Sequence, residues 1–246
     1  MKQAFPEAFN VTFFDADQKK KTPWITCYGP AISRIFASVV IVHGDDRGLR
    51  LPWELAPYQV VIVPVQDDPE VRAKAAEVAR MLAAYVRVFV DTSHHTPGEK
   101  FNTWELKGVP LRIDIGLKDI AGGKVTLFRR DTNTKLQISE GELSRVVHAF
   151  GKEYDTALFA QAATVFKGRI HEASTLKQLG TLLEKGGMAR CLFCSVKMQG
   201  AGCAEQIHEV SGGTVRGTLL EQSSVKGKCI VCGKKASAHV FIAKQY

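Results

Sequence analysis

Charged and apolar side chains alternate along residues 111–115, Leu-Arg-Ile-Asp-Ile, after a segment that carries Glu105 and Lys107 and that we expect to be a loop. This alternation is the period of a half-buried strand, so Arg112 and Asp114 are expected on one polar face. An arginine can contact a guanine edge through two hydrogen bonds, and a carboxylate can accept from base amino groups. The face could therefore read nucleobases, although a solvated strand surface is the simpler interpretation of this chemistry alone.

Positive charge continues beyond this strand. Residues 100–135 contain eight Lys or Arg against four Asp or Glu, and a Gly122-Gly123 turn is expected to lead into a second strand that runs from Val125 to Lys135. The whole chain has a formal charge of +8, concentrated in residues 166–246. Lysine and arginine release condensed counterions when they bind phosphates, so this charge suits a phosphate-rich partner; ordinary solubilising charge would look the same.

Five of the six cysteines follow residue 190, and four of them form two Cys-x-x-Cys pairs, Cys191/Cys194 and Cys229/Cys232. Four thiolates at tetrahedral distances are the usual structural zinc site, and Gly233 after the second pair suits a tight turn around a metal. Disulfides are disfavoured inside cells, so zinc is favoured over redox-active or unliganded thiols. The tail is Gly-rich and is expected to have little apolar core, so a metal would supply much of its folding energy.

The remaining patterns predict an α/β chain with a mixed sheet and helices packed against it. The expected elements are a hairpin of strands 8–14 and 24–28, a buried helix at 32–42, a buried strand at 60–65, a helix at 69–86, a strand at 86–90, a capping box at 139–142 that opens a long helix to residue 166, a helix at 171–184, and short strands at 229–231 and 239–243.

Length and composition limit the class of protein. At 246 residues and 45% hydrophobic, the chain can bury two to three cores. It contains no run of eighteen apolar residues, and its first residues lack the apolar core of a secretory signal. We therefore expect a cytoplasmic protein without a membrane partner.

Two longer phrases, PGEKFNTWELKGVPLRIDIGLKD and FRRDTNTK, resemble the anticodon-binding domain of prolyl-tRNA synthetases of the archaeal/eukaryotic type. The resemblance implies recognition of two adjacent anticodon guanines of tRNA(Pro). Glu105 and Arg112 fall on the positions that recognise these guanines in the family. Lys118 and Lys135 match positions near the anticodon backbone and bases.

Residues 26–34, TCYGPAISR, resemble motif 3 of class II synthetases, in which a strand precedes a helix whose arginine clamps the ATP triphosphate. The resemblance makes Arg34 that arginine, and Cys27 matches a position that lines the amino-acid pocket in bacterial relatives. Pro30 and Ala31 depart from the residues usual in the family. The segment HGDDRGL at residues 43–49 and Pro57 also match the family.

The tail resembles the family's C-terminal zinc-binding domain. The resemblance implies that the metal ligands are Cys194, Cys203, Cys229 and Cys232, and that Cys191 is buried and does not bind the metal. The loop between Cys194 and Cys203 is longer than is usual in the family and lacks its acidic residues. A site with Cys191 in place of Cys203 therefore stays open. The last residues, 243–246, resemble the family's C-terminus, whose final tyrosine packs toward the active site.

The resemblance implies three units: residues 1–58 as a remnant of the class II antiparallel catalytic sheet, residues 59–165 as a mixed-sheet α/β anticodon-binding domain, and residues 166–246 as a small α+β zinc-binding domain. Motifs 1 and 2 are expected to precede residue 1, so this chain alone is expected not to be catalytically competent.

Two functions remain open at this point. One is the C-terminal portion of a proline–tRNA ligase, which would need an N-terminal catalytic half or a dimer partner and would use ATP as a substrate of the complete enzyme. The other is a synthetase-derived RNA-binding protein without catalysis. Exposed apolar surface on residues 1–56 would favour the first.

Overall fold

The computed structural model describes residues 2–29, 31–221 and 225–245. The strands in this part of the chain are β1 Phe13–Phe14, β2 Lys20–Lys21, β3 Val60–Pro64, β4 Val88–Val90, β5 Leu111–Ile115, β6 Lys124–Arg129, β7 Thr134–Ser139, β8 Ile170–Glu172, β9 Met188–Phe193, β10 Gly213–Gly217 and β11 Ala238–Lys244. The α-helices are α1 Ala4–Ala8, α2 Ile32–His43, α3 Pro69–Leu82, α4 Pro97–Leu106, α5 Leu117–Ala121, α6 Leu143–Gly168, α7 Leu176–Glu184 and α8 Ala201–Ser211.

The central unit is a five-stranded mixed sheet in the order β4-β3-β5-β6-β7. Strand β3 pairs in parallel with β4 and β5, and the remaining pairs are antiparallel. Helices α3 and α6 bury one face of the sheet, and α4 covers the other through Trp104, which packs on Val61 and Val63. Because both faces are covered, β3 is a continuous apolar run. The prediction of an α/β fold with a mixed sheet is confirmed.

The segment before β5 is the helix α4, so the prediction of a loop there was wrong. Thr96 and Glu99 form a reciprocal capping box: the Glu99 carboxylate accepts from the Thr96 backbone N–H at 2.8 Å, and the Thr96 hydroxyl accepts from the Glu99 N–H. Pro97 adds the fixed φ that suits a first helical residue. The capping box predicted at 139–142 does not form; those residues make a short 3-10 turn before α6.

Three other element predictions also need correction. The second strand is two strands, β6 and β7, because the chain reverses at residues 130–133, where Asn133 has a φ of 54°. Residues 229–231 form a turn rather than a strand. The helix expected at 171–184 begins only at Leu176, after β8. In the first and third cases a local break divides a pattern that had been assigned to one element.

The N-terminal residues differ most from expectation. Strand β1 pairs with β2 rather than with residues 24–28. Helix α2 forms as predicted, but none of its residues is buried; Ile41 is 80% exposed, and Tyr28 just before the helix is 87% exposed. The prediction of a buried helix was wrong because the described elements leave most of its apolar face exposed.

The C-terminal unit is a four-stranded sheet in the order β10-β11-β9-β8, packed against α7 and α8. It has an apolar core of its own, so the expectation of little core was wrong. The buried members of this core are Ala173, Leu179, Leu183, Ala189, Cys191, Phe193, Ile207, Cys229, Val240 and Ile242. Helix α6 leads into this unit and continues past residue 165 to Gly168.

None of the helices in the described ranges has the length and apolar character needed to cross a membrane.

Candidate nucleic-acid interface and metal centre

Arg112 lies on the buried central strand β5, where its side chain is only 3% exposed. Its Nε donates to Asp114 Oδ1 at 2.8 Å, and its Nη1 donates to Glu105 Oε1 at 2.9 Å. The guanidinium is stacked between two rings, with its Cζ 3.8 Å from the centroid of Phe101 and 4.3 Å from that of Phe128. The expectation of a solvent-facing polar strand was therefore wrong, because α4 covers this face.

Two further basic side chains complete this group, which we call the charged cluster: Arg47, Glu105, Arg112, Asp114 and Lys135. Lys135 Nζ lies 3.7 Å from Asp114 Oδ2, and Arg47 Nη1 lies 3.4 Å from Glu105 Oε2. Burial raises the pKa of the Asp114 carboxyl, and the ion pair with Arg112 opposes this effect. Arg112 and Lys135 thus counteract the effect of burial on Asp114.

The outer members of the charged cluster can reach a ligand. Glu105 keeps 14% of its side chain exposed, Lys135 is exposed, and Phe101 is half-buried beside them. A carboxylate held in place can accept from the Watson–Crick edge of an unstacked base, and an aromatic ring can stack on one. The arrangement is therefore chemically able to bind a single-stranded nucleobase.

The structure brings three of the four residues predicted for this surface together, namely Glu105, Arg112 and Lys135. Lys118 lies apart on α5, exposed, and within the described residues its side chain has no ion pair or hydrogen bond. Phe101 and Phe128 were missed. Phe101 stands four residues before Glu105, so recognition of α4 as a helix would have placed both side chains on one face.

Four cysteine Sγ atoms lie within 4.8 Å of one another: those of Cys194, Cys203, Cys229 and Cys232. Cys194 directly follows β9, Cys203 lies in the first turn of α8, and the last two bracket a turn that closes at Gly233, whose φ is +69°. Around a zinc ion with bonds of about 2.3 Å, tetrahedral thiolates stand about 3.8 Å apart. The 3.6 Å between the Cys194 and Cys203 sulfurs is close to that spacing, so the donor set fits a tetrahedral metal.

The thiols of this cluster have unequal acidity. The backbone N–H of Lys234 lowers the pKa of Cys232 to about 7, whereas burial raises the pKa of Cys203 to about 12. A bound cation would favour the thiolate form of all four. Cys191 is not in the group: it lies buried in β9, and burial raises the pKa of its thiol to about 12.

The residues that resemble motif 3 lie on exposed surface. Residues 26–29 form no strand, and Cys27 is exposed there. Arg34 is exposed in the first turn of α2, where its backbone carbonyl accepts from the Ser38 hydroxyl at 2.8 Å. Pro30 and Tyr246, which were also compared with the family above, lie outside the described residues.

Comparisons with known proteins find family matches in two parts of the chain. Residues 59–149 match the family described as "Anticodon binding domain", and residues 175–246 match "Prolyl-tRNA synthetase, C-terminal". The proline–tRNA ligase of Thermofilum pendens is 39% identical over 252 residues, which cover 99% of this chain and 52% of the relative. The ligase of Clostridium novyi is 36% identical and is covered over 50% of its length.

A solved structure also matches the whole chain. A Giardia lamblia prolyl-tRNA synthetase in complex with prolyl-adenylate superposes with a TM-score of 0.85 at 26% identity, over 100% of this chain and 53% of that one. The chain spans about half the length of the curated relatives that it matches.

Proposed function

The chain belongs to the prolyl-tRNA synthetase family, of which it matches the C-terminal half, and on this premise we propose that it recognises the anticodon of tRNA(Pro) within a proline–tRNA ligase. The observation that carries the proposal is the ion pair between Glu105 and Arg112, which lies inside the region matched to anticodon-binding domains. The domain division predicted above, with boundaries near residues 58 and 165, is part of the proposal.

In this proposal Glu105 reads a guanine directly. The carboxylate of Glu105 accepts from the N–H groups on the Watson–Crick edge, while Arg112 holds it from inside the sheet. Since Arg112 is buried, its contribution to guanine recognition is to fix Glu105 and to keep Asp114 ionised. Lys118 and Lys135 supply positive charge for the anticodon phosphates.

We assign the cysteine cluster to a structural zinc ion held by Cys194, Cys203, Cys229 and Cys232. The mutual approach of these four sulfurs supports Cys203 over Cys191. The 3-10 turn Met198–Gly200 takes up the longer loop between Cys194 and Cys203 and leads directly into α8. Bound zinc would join the end of β9, the start of α8 and the turn at residues 229–232.

Catalysis is proposed only for the complete ligase, which would attach proline to tRNA at the expense of ATP in the cytoplasm. Arg34 would contact ATP and Cys27 would line the amino-acid pocket, on a remnant of the class II catalytic sheet. The support for a catalytic half as partner is exposed apolar surface: α2 lines an apolar groove of about 610 Å³. The groove residues on α2 are Ile32, Ile35, Phe36 and Val39.

Replacing Glu105 with glutamine should weaken binding to tRNA(Pro) by about 1–3 kcal/mol, the usual value of one bidentate base contact. The loss should vanish on a transcript in which the two anticodon guanines are replaced. Affinity measured at one fixed salt concentration tests this. Glu142→Gln is the control, because Glu142 also pairs with an arginine, Arg145, but lies outside the charged cluster. An equal loss of affinity for every transcript would show that Glu105 supports the fold or general RNA binding and does not recognise guanine.

Proline-dependent pyrophosphate exchange separates the two functions left open. We expect none from this chain alone and restoration on adding the N-terminal half of a family ligase, because a catalyst must position all reacting groups together. Exchange by the chain alone would refute the requirement for that half. No exchange in either case, with anticodon-dependent binding intact, would favour the non-catalytic RNA-binding protein.

A further inference from the structure

Arg47 lies outside the region matched to anticodon-binding domains, yet it contacts the residue assigned to guanine recognition. Its Nη1 is 3.4 Å from Glu105 Oε2, while Arg112 occupies Oε1. The two oxygens of one carboxylate thus face two arginines. Arg112 is buried, whereas Arg47 is 56% exposed and approaches from the solvent side.

A tight turn fixes the backbone of Arg47. The N–H of Asp45 donates to the Gly48 carbonyl and the N–H of Gly48 donates to the Asp45 carbonyl, both at 3.0 Å. Asp45 Oδ1 also accepts from the Arg47 N–H at 2.9 Å. The same carboxylate pairs with the buried Arg130, which holds the pKa of Asp45 well below its usual range. An arginine that only solubilised the surface would need no such anchoring.

The turn is attached to the end of α4, directly beside Glu105. The Leu49 N–H donates to the Leu106 carbonyl at 3.0 Å. Gly48 packs so closely that an added Cβ would meet the Leu106 Cα at 2.5 Å. Arg130 Nε donates to the Glu105 carbonyl at 3.2 Å. Arg130 therefore joins the Asp45 turn and the backbone of Glu105 in one rigid arrangement.

We propose that Arg47 is a positioning residue of the guanine-reading site, an assignment that rests on the proposed function. Arg47 holds the outer oxygen of Glu105, so the carboxylate cannot rotate away from the cleft that Arg47 lines together with Asn102, Glu105 and Leu106. Each carboxylate oxygen has more than one acceptor site, so both can bond an arginine and a guanine N–H together. Glu105 is thereby oriented before the base arrives.

The test compares Arg47→Ala and Arg47→Lys by their affinity for tRNA(Pro) transcripts with and without the two anticodon guanines. Arg47→Ala should bind the guanine transcript about two- to fivefold more weakly and the substituted one with unchanged affinity, because an ion pair with an exposed arginine is worth about 0–1 kcal/mol. Arg47→Lys should recover part of the loss. In a Glu105→Gln background, Arg47→Ala should have no further effect. Arg145→Ala, which removes another exposed, paired arginine, is the control.

Two results would overturn the assignment. An equal loss of affinity for all transcripts would make Arg47 a phosphate ligand. In that case the slope of log affinity against log salt concentration should also fall by about 1, the value of one phosphate contact. Unchanged guanine discrimination in Arg47→Ala would remove its role altogether. If Glu105→Gln retains its effect in that case, only the assignment of Arg47 fails. If Glu105→Gln also shows no guanine dependence, the proposed function itself fails.

Discussion

Chelation of the zinc ion proposed above should unfold the start of α8 and the turn at residues 229–232 and leave the five-stranded unit folded. Ligation in zinc-finger peptides has an apparent value of about 10–16 kcal/mol, which is comparable with the whole stability of a domain, about 5–15 kcal/mol. The cysteine cluster joins the end of β9, the start of α8 and the turn at residues 229–232, whereas the core of the five-stranded sheet is separate. Hydrogen exchange of the full chain, before and after chelation, measures both units at once.

The apolar core around β9 and β11 can retain residual protection after chelation, but the turn at residues 229–232 and the start of α8 should lose theirs. Cys203→Ser should abolish binding of the proposed zinc ion. Cys27→Ser should retain it, since Cys27 is exposed and outside the cluster. Full metal in Cys203→Ser with loss in Cys191→Ser would contradict the ligand set. Unchanged protection throughout residues 188–244 would contradict a structural role.

Replacing Arg112 with alanine should destabilise the five-stranded unit by about 3–5 kcal/mol, as expected when one partner of a buried ion pair is removed. Asp114 and Glu105 would both lose a charged donor, and Phe101 and Phe128 would lose the cation stacked between them. Denaturant unfolding of the full chain gives this free energy directly. Guanine-dependent tRNA binding should fall in the same variant, because Glu105 would lose its inner partner.

Lys135→Ala is the matched control for this prediction. Lys135 also approaches Asp114, but it is exposed, and surface ion pairs are worth only about 0–1 kcal/mol. A double variant, Arg112→Met with Asp114→Leu, should recover stability relative to Arg112→Ala, since well-packed apolar residues can replace a buried pair. A loss below about 1 kcal/mol in Arg112→Ala would show that the charged cluster contributes little to the fold.

Where local pattern and tertiary environment agree, the sequence was sufficient. The continuous apolar run of β3 predicted a buried strand, and the helix predicted at 69–86 is α3, which ends at Leu82. The resemblance supplied Cys203 as a ligand candidate, which pairing of the Cys-x-x-Cys motifs alone would have excluded. The structure places Cys203 with the other three thiols and leaves Cys191 in the core.

The burial of Arg112 could not be predicted from the period of β5. Alternating charged and apolar residues usually indicate one wet face, and here that face is covered by α4. The charge is tolerated because two acids and two rings surround it, and three of these four partners lie on other elements, α4 and β6. The exposure of α2 was missed for the opposite reason: an apolar helix was assumed to be fully covered, and the described chain leaves most of its apolar face exposed.

The most direct test of the central claim is the affinity of the unmodified chain for tRNA(Pro) transcripts that differ only in the two anticodon guanines. Salt must be fixed, since phosphate contacts alone give binding without sequence preference. We predict that replacing either guanine weakens binding by about 1–3 kcal/mol. Equal affinity for all transcripts would contradict anticodon recognition by this chain.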